Sequence, residues 1–241
     1  MRELLTVLAG GGECAVCGGR CGAVPVCRTC AKTYFTPDLF TAERCSVCGK
    51  KLVSEHGMCM QCRSERLLKH TDSVFPLYSY RLWNSVLLFR WKIGGERALS
   101  PFFADRLAAA LAVLPQGFAV VPVPPRPGKI RKKGWDQIDE LCTFLELRRK
   151  YCVCRILERS TVKEQKALDR TGRLETIDRS YSLKTGGKLK RGLKSAGGLV
   201  PETVCLIDDV VTTGATIEGC ATVLKAAGVK KVYAVALFTV D

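Results

Sequence analysis

The chain has 241 residues, of which 38 are Lys or Arg and 23 are Asp or Glu, giving a net charge of +15 with 47% of residues hydrophobic. That length buries a sizeable core and allows one ordinary domain plus a small appendage, while no stretch approaches the roughly 20 consecutive apolar residues that span a bilayer. The apolar run 4–9 behind Arg2 and Glu3 is too short and lacks the cationic start of a secretory signal, and Glu13 stands where lipoprotein processing at Cys14 needs a small side chain. The expected compartment is the cytoplasm, where the excess positive charge expects polyanionic company.

In chain order the cysteines come first. Nine of the 14 are Cys14, Cys17, Cys21, Cys27, Cys30, Cys45, Cys48, Cys59 and Cys62, whereas Cys142, Cys152, Cys154, Cys205 and Cys220 are scattered and read as ordinary buried thiols. In a reducing compartment, paired cysteines indicate metal before disulfide. Each of the four Cys-x-x-Cys pairs presents two thiolates to one side of a tetrahedral Zn²⁺, and eight sulfurs make two closed, structural sites. Spacing leaves open whether they form in sequence (Cys14, Cys17, Cys27, Cys30, then Cys45, Cys48, Cys59, Cys62) or interleave as a cross-brace. The sequential arrangement closes shorter loops and is the one expected. A redox-active dithiol would account for one pair and not for four. Cys21 is then spare, and His56 is available to replace a sulfur without being needed. Residues 1–70 are accordingly expected to be a double zinc-binding, zinc-ribbon-like module that duplicates one unit, and 71–241 the larger domain.

The larger domain opens with a short strand at 77–80 after a break at Pro76. Helical spacing follows at 82–91, and an alanine-rich helix is expected at 101–114 with Pro101 in its first turn. Residues 118–123 read as a buried strand whose exit, Val123-Pro124-Pro125-Arg126, is the place for an anion-binding loop. A helix is expected at 135–147 and strands at 152–157, 203–207 and 232–237. Strands alternating with helices indicate an α/β fold with a parallel sheet. Two acid-free basic stretches stand out, 126–133 and 184–194, and the glycines of the second indicate a mobile surface loop. Residues 159–182 form a long polar segment with little apolar periodicity, a loop of functional length.

The most informative stretch is Val204-Cys205-Leu206-Ile207-Asp208-Asp209-Val210-Val211-Thr212-Thr213-Gly214-Ala215-Thr216. Its apolar residues suit a buried parallel strand, and its small-residue turn suits the start of a helix running to about residue 227. Such a turn aims backbone N–H groups and a favourable helix dipole at a phosphate, with threonine hydroxyls as further donors. Asp208 and Asp209 would lie at the strand's carboxyl end and accept hydrogen bonds from vicinal ribose hydroxyls. A bare strand–turn–helix with a capping threonine explains one polar residue and not the ordered set. These residues resemble the ribose-phosphate signature of type I phosphoribosyltransferases. Thr212 stands where purine-using members carry a third acid, and orotate-type members have threonine there, so a purine acceptor is not expected.

Taken in order, the cysteine-rich N-terminus, Lys92-Ile93-Gly94-Gly95, Val121-Pro122-Val123-Pro124, residues 131–137 ending in Gly134-Trp135-Asp136-Gln137, Gln165-Lys166-Ala167-Leu168 and the 204–216 site resemble the ComF family over nearly the whole chain. Trp135 and Asp136 depart from the phenylalanine and asparagine usual there. The resemblance implies a type I phosphoribosyltransferase-like sheet with helices on both faces behind a zinc module, and a setting in natural competence and uptake of single-stranded DNA. The implied partners are 5-phosphoribosyl diphosphate, single-stranded DNA, a DNA translocase and recombination mediators. It also assigns roles. Asp208 and Asp209 grip the ribose, Thr212, Thr213, Gly214, Ala215 and Thr216 hold its 5-phosphate, and Mg²⁺ bridges diphosphate and sugar. Pro124, Pro125, Arg126 and Lys92 face the diphosphate. Residues 159–182 act as a lid on which Lys166, with Lys163, Arg170 and Arg173, meets the leaving group. Three functions stay open at this point: a donor-binding competence protein, an active transferase of nucleotide metabolism with an unknown acceptor, and a non-catalytic DNA-binding or adaptor scaffold.

Overall fold

The two cysteine units are built alike. In the computed structural model, which describes residues 11–36, 43–65, 67–80, 83–159 and 180–240, β1 (Gly12–Glu13) pairs antiparallel with β2 (Arg20–Cys21) around the first knuckle. The second Cys-x-x-Cys of each unit opens a short helix, α1 (Arg28–Tyr34) and α2 (Met60–Ser64), with Cys27 and Cys59 as N-caps in the same extended conformation. Gly18 N donates to Cys14 O and Gly49 N to Cys45 O, both at 2.9 Å, and both glycines sit in the left-handed region at φ 72° and 71°. The two units thus share a knuckle turn and a cysteine-capped helix.

The larger part of the chain forms a four-stranded, all-parallel sheet. Its strands are β3 (Ser73–Ser79), β4 (Ala119–Pro122), and, beyond a separate antiparallel pair β5 (Leu157–Arg159) and β6 (Tyr181–Leu183), β7 (Thr203–Val211) and β8 (Lys231–Thr239), in the order β3-β8-β7-β4. One face carries α3 (Trp83–Lys92), α4 (Ser100–Leu111) and α6 (Gln137–Arg149), following the short basic helix α5 (Lys129–Lys133). There Trp91, Phe103, Leu107 and Leu141 pack with Ile207, Val235 and Leu237, and the first cysteine unit joins them through Cys14, Val16 and Phe35. The other face carries α8 (Ala215–Ala226), whose Ile217, Cys220 and Leu224 pack with Val204, Leu206 and Ala234, and Cys45, Val47, Cys59 and Leu68 of the second unit complete that layer. Alternation along β7 sends successive side chains to the two layers. The fold is thus α/β with helices on both faces of a parallel sheet, plus cysteine clusters. No helix among the described residues is long and apolar enough to cross a membrane.

Four expectations change. Pro76 lies inside β3 rather than before it, which an edge strand tolerates because its outer side needs no sheet donor. That outer side is covered by the second unit: Arg44 Nη1 donates to Pro76 O at 3.2 Å, and a Cβ on Gly49 would fall 2.0 Å from Val74 O. The strand expected at 152–157 makes only one parallel bridge, Val153 to Val120. Val120 exchanges 2.8 Å bonds with Cys152 and Cys154, and the next residue of β4 facing that side is Pro122, which has no N–H to continue the ladder. The acids lie within β7 rather than at its end, because β8 pairs with it as far as Val211. Finally, the glycine-rich basic stretch is not a loop. It forms a seven-residue helix, α7 (Gly186–Gly192), anchored by buried Leu193, with Gly192 so close to Arg155 O that a Cβ would stand 2.5 Å away.

Candidate functional site

β4 and β7 are neighbours, so their carboxyl ends open side by side, and Val123 N still donates to Ile207 O at 3.0 Å beyond the end of β4. Between these ends and α3 lies a cavity of about 570 Å³. Of the residues assigned from sequence, Lys92, Pro124, Pro125, Arg126, Asp208, Asp209, Thr212 and Thr216 line it. Thr213 and Gly214 instead line a smaller cavity shared with the second cysteine unit, and Ala215 opens α8. Lys166, with Lys163, Arg170, Arg173 and most of the expected lid, lies outside the described residues.

The two acids are almost fully buried and differ in their surroundings. Asp208 Oδ1 accepts from Asp209 N at 2.8 Å. Asp209 Oδ2 receives Lys92 Nζ at 2.6 Å and Gln137 Nε2 at 2.7 Å. Burial first, and then the neighbouring Asp209 charge, hold the Asp208 carboxyl well above the usual carboxylate range. Lys92 and Gln137 both donate to Asp209, whereas Asp208 is held toward its neutral form, so the surroundings of the pair are asymmetric.

Gln137 belongs to a relay that sequence reasoning left without a role. Its Oε1 accepts from Lys129 Nζ at 2.5 Å, and Lys129 also pairs with Asp136 Oδ2 at 2.9 Å. An ammonium only donates, so Lys129 fixes which end of the amide faces it and leaves Nε2 for Asp209. Asp136 is the N-cap of α6, accepting from Ile138 N and Asp139 N. The negative charge gained at Asp136 is therefore absorbed by Lys129 and the helix N-terminus. Trp135 packs edge-on to Trp91 with Arg97 over its ring, a packing role.

The turn after β7 places Gly214 at φ 81° as the N-cap of α8. Thr213 Oγ1 accepts from Ala215 N at 3.4 Å, and the Tyr181 hydroxyl is in hydrogen-bonding contact with the Thr216 side chain. Arg159 lines the same large cavity with its guanidinium 5.2 Å over the Tyr181 ring, a cation that nothing in its local sequence singled out. Across the cavity, Tyr80, Leu88, Phe89 and Ile93 make an apolar wall in which Phe89 and Ile93 are exposed.

The cysteines form two clusters in chain order, Cys14 with Cys17, Cys27 and Cys30, and Cys45 with Cys48, Cys59 and Cys62. The sulfurs of each lie within 4.8 Å of one another. All are free thiols, and each cluster could hold a zinc ion. The donor chemistry fits. Burial opposes ionisation of Cys14 and Cys45, but backbone N–H groups aimed at their sulfurs outweigh it and hold the thiols down to about 6 and about 7, whereas burial pushes the Cys30, Cys48 and Cys62 thiols up. Cys21 joins neither cluster, and His56 Nδ1 pairs with Glu43 at 3.2 Å instead.

No family model matches the chain. It is similar to Competence protein ComFC of Streptococcus pneumoniae (strain ATCC BAA-255 / R6), 26% identical over 212 residues that cover 86% of this chain and 84% of that protein. Together with the ordered cysteine clusters and the acid-bearing strand that leads into a small-residue turn, this alignment supports a ComF-family relationship.

Proposed function

We propose that the cavity at the carboxyl ends of β4 and β7 binds 5-phosphoribosyl diphosphate with Mg²⁺. The observation that carries this reading is the convergence of buried Asp208 and Asp209 with Thr212 and Thr216 of the following turn on one cavity. The acids accept from the ribose hydroxyls, the turn takes the 5-phosphate, and Arg126 and Lys129 face the diphosphate. Mg²⁺, held by the diphosphate and the carboxylate floor, would neutralise charge on the leaving group. The two cysteine clusters take zinc as structural ions. The name of the pneumococcal relative supports a setting in competence; within that setting we infer that the protein acts in the cytoplasm, during uptake and processing of DNA.

Calorimetric titration of the zinc-loaded protein with 5-phosphoribosyl diphosphate and Mg²⁺ tests the reading. Binding should be lost in Asp208→Asn/Asp209→Asn with zinc content unchanged; equal affinity in that variant would contradict it. Diphosphate release in the presence of candidate acceptors then decides whether the protein turns over.

The net charge of +15 supports a second reading, contact with single-stranded DNA through α5 and α7. Lys188, Lys190, Arg191 and Lys194 crowd one short segment there. Affinity should fall steeply with salt, and neutralising these four should flatten the slope. A DNA translocase or recombination mediator is the protein partner this setting implies, and removal of residues 1–70 should abolish its binding if the cysteine units carry the contact.

A further inference from the structure

The second cysteine unit and the phosphate turn touch, whereas the first unit sits on the opposite face of the sheet. Leu68, six residues beyond Cys62, is 2% exposed, and a Cβ on Gly214 would stand 2.9 Å from its Cδ2. Glycine suits both the φ of 81° and this close approach of the turn to that side chain. A cavity of about 50 Å³ separates Cys48 and Cys62 from Thr212, Thr213 and Gly214.

One turn into α8, Glu218 grips the chain that leaves the second unit. Its carboxylate accepts from Lys69 N at 2.8 Å, His70 N at 2.7 Å, Thr71 N at 3.2 Å and Thr71 Oγ1 at 2.8 Å, and lies 2.9 Å from His70 Nδ1. An acid in the first turn of a helix ordinarily folds back on the free N–H groups there. Glu218 is spent on residues 69–71 instead and does not fold back on those N–H groups. The first unit is anchored differently: Phe35 packs on Tyr78 and Phe102, and its carbonyl accepts from the Tyr78 hydroxyl at 2.8 Å.

We propose that Leu68 and Glu218 are positioning residues through which the second cysteine unit sets the shape of the phosphate turn, so that anion binding at Thr212–Thr216 depends on metal at Cys45, Cys48, Cys59 and Cys62. This rests on the reading that the turn takes a phosphate. Metal ties the ends of the second unit together, the short connection to Leu68 transmits that rigidity, and Leu68 and Glu218 hold the turn and the first turn of α8 in register.

The test uses the full chain with both zinc ions and ribose 5-phosphate as probe. Leu68→Ala and Glu218→Gln should each weaken ribose 5-phosphate binding about tenfold with zinc content unchanged, and Leu68→Met should restore affinity to within about twofold. Cys62→Ser should lose one zinc and at least as much affinity. Phe35→Leu, which loosens the first unit, should lower the melting temperature and leave affinity unchanged. Amide exchange at residues 212–216 of ligand-free Leu68→Ala should rise while that of β8 stays constant, a local effect that general destabilisation does not produce. Equal affinity and unchanged exchange in Leu68→Ala would overturn the inference. Absence of binding by the unmodified protein would instead overturn the reading of the turn as a phosphate site, with exchange still reporting whether the second unit shapes it.

Discussion

At the scale of single residues, the site is organised by an unequal pair of acids. Asp208 has a folded-state pKa raised by burial and by Asp209. A raised carboxyl binds its proton more tightly folded than unfolded, so its contribution to stability is present at low pH. That contribution is lost as pH climbs from the usual carboxylate value through the raised one. Asp208→Asn keeps an acceptor for Asp209 N and cannot ionise. Its melting temperature relative to the unmodified protein should therefore rise between about pH 4 and about pH 8, and a difference constant over that range would show that Asp208 is not perturbed. Gln137 tests the other half of the pair. Gln137→Leu removes the amide donor to Asp209 and leaves Lys129 with Asp136 alone, a loss of about 1.5–3 kcal/mol for hydrogen bonds to charged groups. Ribose 5-phosphate affinity should fall accordingly, further in Gln137→Glu, which turns a carboxylate toward Asp209. Titration calorimetry reads both, and unchanged affinity in Gln137→Leu would remove the relay from the site.

At the scale of elements, what could be read in advance was what is local in sequence. The run from Val204 to Thr216 announces itself because strand, acids, turn and helix follow one another without interruption, and the cysteine pairs because metal knuckles are two-residue patterns. Gln137 and Asp209 are 72 residues apart, so no local pattern could disclose their bond, although Gln137 stood inside a recognised motif. Arg159 owes its place to Tyr181 on the paired strand, a long-range contact of the same kind. The prolines misled in two ways: Pro76 suggested a strand start where an edge strand runs through it, and the effect of Pro122 on a neighbouring segment could not be seen before the pairing was known. Glycines in 184–194 suggested a loop where one of them serves close packing instead. Asp136 illustrates a residue whose element explains it. As the N-cap of α6, its replacement by Ala should cost about 1 kcal/mol or more, measured by urea denaturation. Asp136→Asn retains the cap and loses only the Lys129 ion pair, so it should cost less; equal losses would show that the ion pair dominates.

At the scale of the whole molecule, the twin cysteine units clamp the β3 edge of the sheet from its two faces, one packing into each apolar layer. On the proposal that each cluster takes a structural zinc ion, a segment this small and cysteine-rich would draw its stability from metal. Elemental analysis should find two zinc ions per chain, and chelation should lower the melting temperature steeply; a chain that keeps its melting temperature after complete zinc removal would contradict a structural role. The same architecture leaves the carboxyl ends of β4 and β7, beside the acids, opening onto the cavity of about 570 Å³. The most direct measurement is a crystal structure of the zinc-loaded protein with 5-phosphoribosyl diphosphate and Mg²⁺. The account predicts the ribose hydroxyls on Asp208 and Asp209 and the 5-phosphate in the Thr212–Thr216 turn. Density for the ligand only along the basic helices α5 and α7, with the acids still engaged by Lys92 and Gln137, would contradict it.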